Sequence, residues 1–125
     1  MRGMFNFYQY RGGARHYRRA MIVREWRASA TKANAQAYIH FFGQTVVPIL
    51  KTVEGNRGAW LMHRDVEEGV KVVALTLWES RDAIRAFGGA DITRARVEPE
   101  AQALFIRFDD TVSLYEADLR IERPA

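Results

Sequence analysis

The sequence predicts an α+β fold in which two helices pack on one four-stranded antiparallel sheet. Three observations carry this: strand-like runs at 21–28, 57–65, 70–79 and 111–119; a helical stripe across 33–50; and a second capped helix from Ser80. Their order is β-α-β-β-α-β. At 125 residues, with 48% hydrophobic and 27% charged residues, the chain can bury one real core.

MIVREWRA (21–28) alternates, with Ile22, Arg24 and Trp26 on one side and Val23, Glu25 and Arg27 on the other. Ser29 or Thr31 can cap the following helix, because either hydroxyl accepts a bond from a free backbone N–H. Ala35, Tyr38, Ile39, Phe42, Val46, Ile49 and Leu50 recur at three and four, which makes one apolar stripe. Pro48 should bend or restart its last turn. Glu54-Gly55-Asn56 is a turn, and a hairpin at Glu67-Glu68-Gly69 joins the second and third strands. Ser80 caps the second helix, which runs through Phe87 with Asp82 in its first turn, and Gly88-Gly89 ends it. Pro99 is placed to start a further short helix through Phe105, before the last strand at Thr111–Leu119.

The third strand, KVVALTLW, is apolar on both faces: Val72, Ala74, Thr76 and Trp78 on one, Val73, Leu75 and Leu77 on the other. Two helices cover only one face, and bare apolar sheet costs about 25 cal/mol per Å² left in water. A second copy packed sheet to sheet about a two-fold axis is the expected cover, so a homodimer is predicted.

Charge is unevenly placed. Residues 1–20 hold five arginines and no acid, whereas the remaining fourteen basic residues face fifteen acids. The leader is read as a basic flexible extension and residues 21–125 as the domain. The domain has no global basic field, so no nucleic-acid partner is expected. No apolar run spans a bilayer and no apolar signal segment follows the N-terminal arginines, so no membrane association is expected. The chain contains no cysteine, which excludes disulfides, thiolate metal sites and Cys nucleophiles and fits the cytoplasm. The three histidines are dispersed and give no metal-ligand spacing. His63 is the one histidine placed to act as a general base, although its hairpin-end position is that of a surface residue; His40 lies opposite the helical stripe. Tyr115 on the last strand could donate a hydrogen bond or serve as sheet packing.

GNRGAWLMHRD (55–65), VVALTLWESRDAIRAF (72–87) and VSLYEADL (112–119) resemble, in order and spacing, the antibiotic biosynthesis monooxygenase family. The resemblance covers roughly residues 21–119. It implies a ferredoxin-like βαββαβ fold, a dimeric α/β-barrel, and a ligand cavity between each sheet and its helices. It also implies a cofactor-independent monooxygenase acting on a flat aromatic or enolisable small molecule. The alternative is a non-catalytic small-molecule-binding or stress-related protein on the same barrel.

The family's known motifs transfer only in part. Heme-degrading members carry an asparagine in the first strand, a tryptophan on the second helix and a histidine beyond it. Here Trp26, Phe87 and approximately Val97 stand at those places, so no heme or other cofactor is expected. Anthrone-oxygenating members carry an asparagine four residues before the strand-ending tryptophan and a tyrosine in the next helix. Ala74 and Ile84 replace them here, while Trp78 is kept. Cofactor-free oxygenation needs a dry site, a flat wall and one stabilised negative charge. Trp78 is therefore assigned as the catalytic residue, with Arg24 pairing a phenolate and Trp26 and Phe87 sandwiching a ring. Each also has a structural reading: Trp78 and Phe87 as helix–sheet packing, and Arg24 as a surface arginine paired with an acid such as Glu79.

Overall fold

The computed structural model describes residues 21–124; the basic extension over 1–20 lies outside the described residues. Strand β1 (Met21–Ala30) forms the middle of the sheet. β2 (Asn56–Val66) and β3 (Gly69–Trp78) make a hairpin laid beside it, and every pairing in the sheet is antiparallel. The strand order is β2-β3-β1-β4.

The fourth position differs from expectation. It holds two short strands, β4 (Phe105–Phe108) against one end of β1 and β5 (Ser113–Ala117) against the other. The sheet thus has five strands rather than four. The short helix begun by Pro99 stops at Gln102 (α4, Pro99–Gln102), and Phe105 belongs to β4 rather than to that helix. Tertiary contact decides this: the Phe105 ring packs edge-on against Trp26 at 5.4 Å and Tyr38 at 4.8 Å.

Thr31 is the cap of α1 (Lys32–Phe41), its hydroxyl accepting from the Asn34 N–H at 3.2 Å. The long stripe does not form one continuous α-helix. A π-helical turn at Phe42–Val46 separates α1 from α2 (Val47–Thr52). Pro48 supplies the reason: in an unbroken α-helix its ring would press on the Gln44 carbonyl and it has no N–H to donate. The wider turn shifts the register, so the Val47 N–H donates to the Phe42 carbonyl five residues back. Ser80 caps α3 (Arg81–Gly88), accepting from the Ala83 N–H at 3.1 Å.

The helices cover one sheet face. Ile22, Trp26, Ala28 and Ala30 of β1 and Val70, Val72, Ala74 and Trp78 of β3 are buried there against Ala35, Tyr38, Phe42, Val46, Leu50 and Ile84. The opposite face carries Val73 and Leu75 of β3 beside Met62 and Trp60 of β2, and Trp60 is 57% exposed. No described helix is long and apolar enough to cross a membrane.

Candidate functional site

β1 and β3 align so that Arg24 faces Thr76 and Ile22 faces Trp78 across the ladder. Directly opposed residues share a face, which puts Arg24, Thr76 and Trp78 on the helix-covered side. Arg24 is only 6% exposed. Its Nη2 donates to the Arg94 carbonyl at 2.8 Å, while its Nε is buried with no hydrogen-bond partner. Glu79, a candidate partner on sequence grounds, pairs with Arg57 instead. Burial, with Arg96 adding repulsion, pulls the Arg24 pKa down from 12.5 to about 10. The guanidinium thus stays charged at neutral pH, with no carboxylate beside it among the described residues.

Phe87 holds this charge in place. The ring lies 5.7 Å below the Arg24 guanidinium carbon and 5.0 Å from that of Arg96. On its other side it meets Trp78 at 5.5 Å in a tilted contact. Arg96 donates to the Phe87 carbonyl at 2.8 Å and pairs with Glu98 at 3.3 Å. Glycine at 88 gives the guanidinium room, because a Cβ there would lie 3.3 Å from Arg24 Nη2. Trp78 is fully buried, and its indole N–H donates to Thr76 Oγ1 at 2.7 Å. It therefore offers a cluster wall rather than a free donor.

Three of the four sequence-assigned residues, Arg24, Trp78 and Phe87, come together. Trp26 shares their face two residues along β1, but its ring is turned into a separate aromatic group with Tyr38 and Phe105. Its N–H donates to the Asp109 carbonyl at 2.8 Å, which is what a packed core tryptophan requires. Burial, with the Glu98 charge adding, raises the Tyr38 pKa above its ordinary value, so that hydroxyl stays protonated.

Thr76, Gly88 and Arg96 were not assigned to the site from sequence. Thr76 was legible as the one polar residue on an apolar strand face; Arg96 sits in a loop with no period to mark it. His40 and His63 are exposed. His63 opposes Val72, four residues along β3 from the partner of Arg24, or about 13 Å at the rise of a strand. Tyr115 donates to Glu25 Oε1 at 3.0 Å. By register that bond lies on the open face, away from Arg24. Among the described residues no cluster of His, Asp and Glu could hold a metal ion.

A central strand buried on its helix side and an antiparallel sheet with split fourth strand define an α+β, ferredoxin-like protein. The family model for antibiotic biosynthesis monooxygenase matches residues 21–99, and the chain belongs to that family. Solved structures agree on the fold. An antibiotic biosynthesis monooxygenase of Bacillus cereus superposes with a TM-score of 0.54 at 17% identity, covering 80% of this chain and 95% of its own. One from Caulobacter crescentus gives 0.54 at 22% identity, covering 82% and 92%. A Streptomyces coelicolor monooxygenase, solved in complex with the ligand nanaomycin D, gives 0.52 at 18% identity, covering 85% and 89%. A comparison with curated proteins returned no significant match.

Proposed function

We propose that the chain is a cofactor-independent monooxygenase that binds a flat, acidic aromatic or enolisable molecule as its anion, against Arg24. The observation that carries this reading is the buried guanidinium with an unsatisfied Nε and, among the described residues, no carboxylate partner. Removing an uncompensated charge from water costs several kcal/mol, so its retention on the helix-covered face suits an anionic ligand. Phe87 and Trp78 supply the flat wall.

The chemistry follows from the anion. A phenolate or enolate gives one electron to dioxygen, and the resulting radical and superoxide combine at carbon. The hydroperoxide, once protonated, loses water and leaves a carbonyl. Overall, a C–H₂ centre and O₂ become C=O and H₂O, with no outside reductant. Arg24 would stabilise the charge on the substrate oxygen before transfer and on the peroxide after it. Trp78 would exclude water and fix the ring plane. The Streptomyces monooxygenase of similar fold was solved with the ligand nanaomycin D, which supports a small organic ligand for this reading.

We further propose that the protein works as a homodimer, in which Trp60, Met62, Val73 and Leu75 of each copy meet across the open faces. A chain without cysteine suits the cytoplasm as its compartment.

An oxygen electrode with mass detection tests the reading on a panel of phenols, anthrones and quinols. At least one ionisable aromatic should consume oxygen, and Arg24→Met should lower that rate about a hundredfold or more while remaining folded. Saturable quenching of tryptophan fluorescence with flat oxygen traces would instead select the non-catalytic binder.

A further inference from the structure

The sheet register lines up four residues in one row across the open face. Arg64 of β2 opposes Lys71 of β3, Lys71 opposes Ser29 of β1, and Ser29 opposes Arg107 of β4. Directly opposed side chains lie side by side, and like charges so placed repel. Arg107 is matched by Glu68, and Arg27, one row along, by Asp109 at 3.2 Å. Among the described residues Arg64 and Lys71 have no acidic partner. Ser29 Oγ, between Lys71 and Arg107, is buried and has no hydrogen-bond partner. These residues, together with Glu67, line a groove of about 570 Å³.

We propose that this groove binds a phosphate-class oxyanion, held by Arg64 and Lys71 with Ser29 as a hydroxyl donor. Two neighbouring cations beside a hydroxyl match a tetrahedral dianion, whose several oxygens accept from all three groups. The groove is larger than one phosphate, so an organic phosphate can enter. This site is separate from Arg24, on the opposite face of the same sheet, and lies at the hairpin end of the open face, beyond the Met62–Val73 pair proposed to meet a second copy. It does not depend on the oxygenase reading.

The test is calorimetric titration of the full chain with inorganic phosphate and with AMP, at ionic strength fixed by sodium chloride. Saturable binding is expected, weakened about tenfold by Lys71→Gln and by Arg64→Gln, the loss of one charged hydrogen bond. Arg24→Met should leave it unchanged. Tighter binding of AMP than of phosphate would assign an organic phosphate, and equal affinities a free one; both support the site. Absence of saturable heat from either probe, or equal affinity in the glutamine variants, would overturn it. So would a change in oligomeric mass without a change in affinity, because the row would then serve contact between copies.

Discussion

A guanidinium that is 6% exposed and faces no carboxylate among the described residues costs the fold free energy. Replacing it with an apolar side chain of similar length removes that cost along with one hydrogen bond to a carbonyl. Arg24→Met is therefore expected to raise the stability of the ligand-free protein by about 1–3 kcal/mol, read as a higher urea midpoint at unchanged slope. Oxygenation should be lost in the same variant. A lower midpoint would mean that the bond to Arg94 outweighs the burial of charge. Trp78 needs a gentler change. Truncating this fully buried ring to alanine should cost about 3–5 kcal/mol and confound any assay. Trp78→Phe keeps a wall against Phe87 and removes only the N–H given to Thr76, so a folded protein with reduced turnover is expected. Thermal melting alongside oxygen uptake separates the two effects.

The β2–β3 hairpin fixes which residues face Arg24, and Gly69 fixes the hairpin. Its φ is +139°, and a Cβ there would sit 2.5 Å from the Ala30 carbonyl oxygen. Gly69→Ala is expected to destabilise the chain by about 2–3 kcal/mol, measured by chemical unfolding. A neutral result would show that β1 and β3 can shift apart at that end. At this scale the sequence was readable where periodicity was long. β1 was legible from its alternation and the first helical region from its three-four stripe, β2 and β3 from long strand-like runs joined at a turn, and the second helix from its Ser80 cap and glycine stop. Phe105–Phe108 was not legible: four residues carry too little pattern, and contacts with Trp26 and Tyr38 from distant segments decide them. The π-turn was only half legible, since Pro48 announces a break but not its form. In the site, Arg24 was visible as a cation on an otherwise apolar face. Its separation from Glu79 depends on where the Arg57 side chain falls, which no pattern within β1 encodes.

For the whole molecule, the open sheet face and the helix-covered face make different claims. The open face predicts assembly: light scattering should give about 29 kDa, twice the 14.4 kDa chain. Leu75→Glu, placing a carboxylate between Glu25 and Trp60, should return the protein to the mass of one chain. A wild-type mass of one chain would leave that face without its partner. The covered face carries the proposed chemistry, in which the buried arginine would hold the substrate anion. The decisive measurement is a short incubation of the wild type with an ionisable aromatic under isotopically heavy dioxygen, with the product weighed by mass spectrometry. One heavy oxygen atom per product molecule, formed by wild type and not by Arg24→Met, is the predicted result; a product whose new oxygen comes from water, or whose labelling is the same without Arg24, would contradict it.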